Sequence, residues 1–227
     1  MDAVLKYKGF YTDSFGSTPI VLLNDFKTLF VEIDGVPFSG EDFSDFSIVK
    51  GKKYLLEKTD RFNFFPSVFN SSDSDLVLCN CTFKIIIPQI IIDLRNQTSI
   101  VVDLDFECEL KVKDNLYVTE FFRITLTIDG NLYSASGDIV ELVLDRLNKQ
   151  FEGLYSFKNC YGCMYGDYSV FGQNSFGGML CFVNQKDAYK KADTKDEYME
   201  LEPDAFVQEI YCCNAFEPRT AGAGYRG

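Results

Sequence analysis

The chain has 227 residues, of which 46% are hydrophobic and 15% aromatic, so it can bury a core and is not compositionally disordered. Its 34 acidic and 22 basic residues give a net charge of −12 at pH 7, which disfavours nucleic-acid binding because phosphate contacts need clustered Lys and Arg. Histidine is absent, which excludes Ser-His-Asp and Cys-His catalysis within this chain, zinc sites that mix cysteine with histidine, and imidazole pH switches.

The acidity is spread along the chain, since residues 151–227 hold 11 acidic and 7 basic side chains and the rest of the excess precedes them. Two interpretations stay open: a surface that only keeps the protein in solution, and one that steers a basic protein partner. The N-terminal segment lacks the pattern of a signal peptide, and the longest nearly apolar run, Ile85 to Ile92, is too short to span a membrane. We therefore expect a cytoplasmic protein with reduced cysteines and no membrane contact.

The first 50 residues predict short strands separated by turns. The apolar runs place these strands at Val4–Tyr11, Pro19–Leu23, Thr28–Ile33 and Val36–Phe38. Asp34-Gly35 is a hairpin signal between the last two strands. The acidic stretch that follows predicts a loop in which Phe43 and Phe46 pack inward, and the basic run Lys50–Lys53 predicts a turn rather than a binding patch.

The clearest strand pattern lies between residues 76 and 128, where β-branched and aromatic residues dominate. Four strands are predicted, at Leu76–Ile87, Ile90–Leu94, Ser99–Val112 and Leu116–Ile128. In the third, charged residues alternate strictly with apolar ones, which places Cys108 on the apolar face. Asp129-Gly130 is a second hairpin signal. The pattern predicts a long antiparallel meander with one solvent-exposed face.

Between Ser136 and Phe151 the apolar period changes from two residues to three and four. This spacing predicts one amphipathic helix that covers a sheet face, with Ser136 or Asp138 as its N-terminal cap. We therefore predict a mainly β (α+β) fold: an antiparallel sheet or sandwich with one principal amphipathic helix and a cysteine-rich C-terminal subdomain. Residues 1–151 are expected to form the β domain with its terminal helix, and residues 152–227 a subdomain packed on it.

The last third of the chain predicts shorter elements. A strand is expected to end in the run Met179–Val183, and the charged stretch Gln185–Leu201 suits one or two short helices. Phe206–Tyr211 is expected to be a strand that delivers the adjacent pair Cys212 and Cys213. Because neighbouring side chains on a strand point to opposite faces, only one of that pair should serve a given site.

Four thiols are suited to closing one metal site: Cys160, Cys163, Cys181 and Cys213. The first two have the C-x-x-C spacing that presents two thiolates from one tight turn. Cys181 follows after 17 intervening residues and Cys213 after 31 more, so the last pair is not a second C-x-x-C. Alternation on the predicted strand favours Cys213 over Cys212. Since zinc takes four soft ligands in a tetrahedron, the sequence predicts a structural Zn²⁺ at these four cysteines.

Other interpretations of these cysteines stay open. They can be buried free thiols, a disulfide or redox pair, or ligands of a catalytic metal that keeps one position open for water beside Asp167. A turn-forming role is the simpler alternative for Asp167. Cys79, Cys81 and Cys108 are expected to be core residues, because a free cysteine behaves as a small hydrophobe.

Several motifs stand out along the chain. They are Y-K-G-F-Y-T-D-S-F-G and I-D-G-V-P-F-S-G-E-D-F near the N-terminus, C-x-x-C-x-Y-x-D-Y-S (Cys160 to Ser169), F-G-G-M-x-C-F (Phe176 to Phe182), V-Q-E-x-Y-x-C (Val207 to Cys213) and the terminal G-x-G-Y-R-G. Together they resemble an uncharacterised bacterial domain-of-unknown-function family over most of the chain. The resemblance implies Cys213 as the ligand in preference to Cys212, and it implies no established activity. In size and acidity the chain is also similar to immunity proteins of bacterial polymorphic-toxin systems.

The functional prediction is a cytoplasmic, non-enzymatic protein-interaction module with a structural zinc. Its partner is expected to be a protein, in one version a basic toxin domain that the chain neutralises as an immunity protein. Two alternatives remain: an enzyme that uses a thiolate or a zinc-bound water in the region from Cys160 to Cys181, and a redox sensor that loses its metal under oxidation.

Overall fold

Alternating apolar and polar residues form long antiparallel strands in the computed structural model of this chain, which describes residues 4–66, 76–114, 116–170 and 176–220. The first seven strands are β1 (Leu5–Asp13), β2 (Gly16–Asn24), β3 (Leu29–Ile33), β4 (Val36–Gly40), β5 (Ser47–Ile48), β6 (Asn63–Pro66) and β7 (Leu76–Cys79), with a 3₁₀ helix at Leu56–Arg61. The long strands follow as β8 (Cys81–Asp93), β9 (Thr98–Lys113), β10 (Tyr117–Ile128) and β11 (Asn131–Gly137). The predicted mainly β, antiparallel fold is confirmed.

The remaining elements are shorter. They are helix α1 (Val140–Gln150), strands β12 (Tyr155–Phe157), β13 (Gly166–Asp167) and β14 (Met179–Cys181), helices α2 (Lys186–Lys191) and α3 (Lys195–Met199), and strand β15 (Ala205–Val207). Among the described residues, twelve strands form one sheet in the order β11-β10-β9-β8-β1-β2-β3-β4-β5-β7-β6, with β12 paired to β8. A second sheet has the order β13-β14-β15. No described helix has the length and hydropathy needed to cross a membrane.

Both predicted hairpin turns are present. Ile33 pairs with Val36 across Asp34-Gly35, and these two turn residues have φ angles of 51° and 82°. Asp129-Gly130 connects β10 and β11 with φ angles of 51° and 79°. Two consecutive positive φ values fit the type I′ turn, whose twist matches that of the flanking strands.

Pro88 does not end a strand, so the prediction of separate strands at Leu76–Ile87 and Ile90–Leu94 is wrong. Instead β8 is continuous through the proline for 13 residues. Its pairing with β1 ends at Ile85, and its pairing with β12 begins at Ile91. Pro88 lies between these two registers, outside the residues that pair with β1 and with β12.

Helix α1 buries an apolar stripe of Val140, Val143, Leu144 and Leu147, as its period predicts. The predicted cap at Ser136 or Asp138 is wrong, because the N-cap residue is Ile139 and its side chain makes no capping hydrogen bond. Ser136 belongs to β11 instead. The C-terminal end of the helix is held by packing, since the ring of Phe151 contacts that of Tyr133 at 5.1 Å between centroids.

The chain divides into two compact units, each made of several segments. The first unit comprises Met1–Ile87, Leu104–Thr125 and Ser136–Asp138, and the second comprises Pro88–Asp103, Leu126–Ala135 and Ile139–Gly227. The expected division into residues 1–151 and 152–227 stays a prediction.

Aromatic side chains fill the core of the first unit. Phe43 and Phe46 are fully buried, as predicted for this loop. Phe43 stacks on Phe106 with 5.5 Å between ring centroids, and Phe46 stacks on Phe83 at 5.0 Å. Such ring pairs bury large apolar surfaces and also interact through the preferred geometry of their rings. Phenylalanine can therefore build this core although the chain has no Trp. The three cysteines expected in the core, Cys79, Cys81 and Cys108, are buried there.

Candidate metal centre

The turn from Cys160 to Cys163 is built by its neighbours in the sequence. The Asn159 side-chain oxygen accepts a hydrogen bond from the Gly162 N–H at 3.1 Å, and the Cys163 N–H donates to the Cys160 carbonyl at 3.2 Å. A Cβ atom at Gly162 would lie 2.0 Å from the Phe157 carbonyl oxygen, so only glycine fits there. The C-x-x-C spacing therefore forms a tight turn, as the sequence predicts.

A buried amide pair fixes this turn. The Asn159 Nδ2 group donates to the Gln89 Oε1 atom at 2.8 Å, and the Gln89 Nε2 group donates to the Ile210 carbonyl at 3.2 Å. Asn159 is 1% exposed and Gln89 7%. Because buried polar groups are costly when unpaired, these bonds stabilise one position of the turn relative to residue 210.

The segment that carries Cys212 and Cys213 runs along the same turn. Cys160 N–H donates to the Tyr211 carbonyl at 2.6 Å, and Tyr161 N–H donates to the Glu209 carbonyl at 3.1 Å. At the other end of the turn, Met164 N–H donates to the Glu217 carbonyl at 2.7 Å. Main-chain bonds thus bring residues 209–217 beside residues 160–164.

The strand expected at Phe206–Tyr211 is wrong in its extent, because β15 ends at Val207. Cys212 and Cys213 therefore lie in irregular chain, and strand alternation cannot choose between them. The choice of Cys213 over Cys212 as the ligand stays a prediction.

Cys181 reaches the same region through the small sheet. It pairs with Gly166 of β13, and the Gly166 N–H donates to the Cys163 carbonyl at 3.3 Å. A Cβ atom at Gly166 would approach the Cys160 carbonyl oxygen to 2.2 Å, so a larger residue there would push the turn away from β14. Glycine thus allows three cysteine-bearing segments to pack together.

The thiols in this region are free and influence each other. Burial raises the pKa of Cys160 strongly, and repulsion from Cys163, Cys181, Cys213 and Cys212 raises it further. Burial, followed by neighbouring thiols, also raises the pKa of Cys181 and of Cys212. All eight cysteines are free. A raised pKa keeps the thiols of Cys160, Cys181 and Cys212 protonated at neutral pH, where they are weak nucleophiles.

The donor set suits zinc in residue type, but its side chains do not form a coordination sphere as described. Within residues 4–66, 76–114, 116–170 and 176–220, no group of three or more Cys, Asp, Glu or His side chains has the geometry to hold a metal ion. What the structure supplies is the approach of the three cysteine-bearing segments. Metal binding requires deprotonated sulfur, and a bound cation would offset the repulsion that arises among the thiolates once they form.

Asp167 is engaged by the fold. One carboxylate oxygen accepts the Tyr168 N–H at 2.7 Å, and the other accepts the Tyr189 hydroxyl at 2.7 Å. The residue is 2% exposed and belongs to strand β13, so its prediction as a turn residue is wrong. Both carboxylate oxygens of Asp167 thus accept hydrogen bonds from protein groups next to the cysteine segments.

Sequence reasoning missed two charged residues that bond within the second unit, the buried Glu209 and the partly buried Arg219. Glu209 is fully buried, and burial raises its pKa to about 7 although it accepts bonds from Gly177 N–H at 2.8 Å and the Tyr168 hydroxyl at 3.1 Å. Arg219 donates to the Met164 carbonyl at 3.2 Å and to the Tyr189 hydroxyl at 3.1 Å. Glu209 stands in a motif that resemblance had singled out, but only tertiary structure reveals its burial.

Fold and site together define a mainly antiparallel β protein with a cysteine-rich region at the end of its chain. The model of the family of unknown function (DUF6304) matches residues 5–166, and the chain belongs to this family. The predicted resemblance to a domain-of-unknown-function family is confirmed at that level, while the motifs after residue 166 lie outside the match. No curated protein and no solved structure matches the chain.

Proposed function

We propose that the chain is a non-enzymatic protein-interaction module whose second unit is held by a structural Zn²⁺ at Cys160, Cys163, Cys181 and Cys213. The observation that carries this proposal is the approach of three cysteine-bearing segments through main-chain hydrogen bonds. Two of the thiols come from one tight turn, an arrangement typical of structural zinc sites. Because the chain has no histidine, all the soft ligands must be cysteines.

A structural role is supported by how the polar groups around the cysteines are used. Both carboxylate oxygens of Asp167 and both of Glu209 accept hydrogen bonds from neighbouring protein groups. The raised thiol pKa values disfavour a metal-free cysteine nucleophile. These groups stabilise the fold around the turn and are not directed at a substrate.

The net charge of −12 supports a basic protein partner. Such a surface accelerates encounter with a positively charged protein, and the effect weakens as salt screens it. A basic toxin domain, neutralised by this chain acting as an immunity protein, fits these properties. The proposed role needs no chemistry beyond binding.

Metal content of protein purified under reducing conditions tests the zinc. Inductively coupled plasma mass spectrometry should find one zinc per wild-type chain, and Cys160→Ser and Cys213→Ser should lose it. Cys212→Ser is the matched control and should retain zinc. Wild-type protein without metal would overturn the zinc proposal, and zinc held by only three cysteines would instead favour an enzyme with a water on the metal.

The partner is tested by pull-down of basic toxin domains encoded beside the gene. We expect a stable complex whose association rate falls steeply between low and physiological salt. Absence of binding to every such domain would contradict the immunity role. A complex in which the chain turns over its partner or a small molecule would contradict the non-enzymatic role.

A further inference from the structure

A groove of about 560 Å³ opens in the first unit, beside strands β5, β6 and β7. Three aromatic rings line it, those of Tyr54, Phe62 and Phe64. Leu56 and Leu76 line it as well, and their side chains are 75% and 49% exposed. The volume lies in the range of ligand sites, and exposed apolar side chains next to a groove are typical of binding surfaces.

The charge around this groove is opposite to that of the whole chain. Residues 50–60 carry four lysines, Lys50, Lys52, Lys53 and Lys58, against two acidic residues, Glu57 and Asp60, and all six are exposed. Lys50 and Asp60 line the groove, and Lys52 and Lys53 directly precede its Tyr54. On a chain of net charge −12, residues 50–60 thus carry a net charge of +2, and Lys50, Lys52 and Lys53 form a lysine rim at one side of the groove. The sequence predicted only a turn at these lysines.

We propose that the groove binds an extended segment of a protein partner in which an aromatic or aliphatic anchor is flanked by Asp and Glu. The anchor would pack among the three rings, where burial of one large apolar side chain contributes most of the binding energy. The acidic residues would face the lysine rim, whose charge complements them. Strand β6, the last of the described sheet, offers main-chain groups to an extended segment.

This site differs from the proposed function in both partner and place. The immunity role requires a basic partner on the acidic surface and a zinc in the second unit, whereas the groove takes an acidic segment and lies in the first unit. Either proposal can therefore fail without the other. Loss of zinc from Cys213→Ser, for example, should leave peptide binding at the groove unchanged.

A library of random 12-residue peptides, selected on the full chain, tests the proposal. Enriched peptides should combine a Phe, Tyr, Trp or Leu with neighbouring Asp or Glu. The most enriched peptide, labelled with fluorescein, is then titrated with each variant and followed by anisotropy. Leu56→Asp should weaken binding by at least ~10-fold, because it places a charge in the apolar groove and repels the acidic flanks.

Two further variants separate the groove from the rest of the surface. Leu116→Asp makes the same substitution at a residue that is 63% exposed outside the groove, and its affinity should stay within about twofold of wild type. Lys52→Glu with Lys53→Glu should weaken binding by ~5-fold or more and remove most of its salt dependence.

Four results would overturn the proposal. They are enrichment of basic peptides, equal binding to Leu56→Asp and wild type, no enrichment over the bare support, and tighter binding of an oligo(dT) probe than of the peptide.

Discussion

The guanidinium of Arg61 lies between two carboxylates at turns of the chain, those of Asp13 and Asp34. Its Nε donates to Asp13 at 2.7 Å, and its Nη1 donates to Asp34. It also lies over the ring of Tyr11, 5.5 Å from the centroid. The side chain of Asp13 is 1% exposed and that of Arg61 17%. A single residue from the 3₁₀ helix thus joins the turn between β1 and β2 to the turn between β3 and β4.

Replacing Arg61 with Met should lower the free energy of unfolding by about 3 kcal/mol at pH 7, because it leaves Asp13 buried without its cation. Arg123→Met is the control, since its ion pair with Glu107 is exposed and should contribute less than about 1 kcal/mol. Urea denaturation of both variants measures the difference. Equal effects would show that Arg61 acts only as another surface charge.

The same substitution should change the acid limb of the stability profile. Burial opposes ionisation of Asp13, but hydrogen bonds from Arg61 and the Phe15 N–H outweigh it and hold its pKa below the usual range. Because the pKa of Asp13 is lower in the folded state, its ionised carboxylate stabilises the fold at pH values above the ordinary pKa of aspartate. This stabilisation is lost as the pH falls through the lowered pKa of the folded state. Arg61→Met should therefore be less sensitive to acid in that window.

Glu209 predicts the opposite pH dependence. Its pKa is raised to about 7, so the folded state binds its proton more tightly than the unfolded chain does. The protonated carboxyl of Glu209 therefore contributes on the order of 2 kcal/mol to the free energy of unfolding. This contribution is complete below the ordinary pKa of glutamate and is lost as the pH rises towards 7. Glu209→Gln should flatten the stability profile between about pH 4.5 and 7.

The control for this comparison is Glu200→Gln, which removes an exposed carboxylate and should leave the profile unchanged. Urea unfolding at half-unit intervals of pH gives both profiles. If the slope persists in Glu209→Gln, it comes from other carboxylates with a raised pKa, such as the half-buried Asp45, whose pKa is raised to about 6 chiefly by burial.

At the scale of elements, helix α1 protects an edge of the large sheet. β11 is the first strand in the described order, so one side of it lacks a neighbouring strand there. Gln150 covers part of that side, because its Nε2 donates to the Ser134 carbonyl at 2.9 Å and its Oε1 accepts the Ser134 N–H at 3.3 Å. One side-chain amide thus replaces the two main-chain bonds that another strand would make.

Gln150→Ala should cost only about 1 kcal/mol of stability but should increase self-association, since it exposes the edge of β11. Lys149→Ala, at an exposed position of the same helix, is the control. Static light scattering at rising protein concentration measures association. If both variants stay monomeric to the same concentration, another feature protects this edge.

Elements with a strong sequence period were predictable, and those set by tertiary contacts were not. The alternation in β9 and β10 and the two Asp-Gly turns were sufficient for the meander. The prediction of a strand break at Pro88 was wrong because the sequence near a proline cannot show that β8 changes its partner strand there. The end of β15 at Val207 was missed because residues 209–211 bond to the cysteine turn and leave the strand.

The sites follow the same division. Local motifs predicted the turn at Cys160 and Cys163, since its determinants lie within a few residues. The roles of Arg61, Gln89 and Glu209 could not be predicted, because their partners are 48, 70 and 41 residues away. The groove likewise depends on the pairing of β6 with β7, which brings the strand of Leu76 beside that of Phe64.

For the whole molecule, metal removal tests the proposed structural zinc of the second unit. Chelation under reducing conditions should lower the Tm of the wild-type chain, and added zinc should restore it progressively, because a ligand bound only by the folded state stabilises it by mass action. Cys213→Ser should respond to neither treatment in differential scanning calorimetry. An unchanged wild-type Tm after complete removal would contradict a structural role for the metal.

The interleaved course of the chain has a consequence for its resistance to cleavage and its response to engineering. β8, β9 and β10 each contribute residues to both compact units, so each unit is assembled from three separate stretches. No single cut yields two fragments that each contain one whole unit, and truncation at residue 151 removes part of the second unit while leaving the rest attached. Insertions and permutations should therefore be placed in turns within one unit, such as Asp34-Gly35, where both flanking strands belong to the same unit.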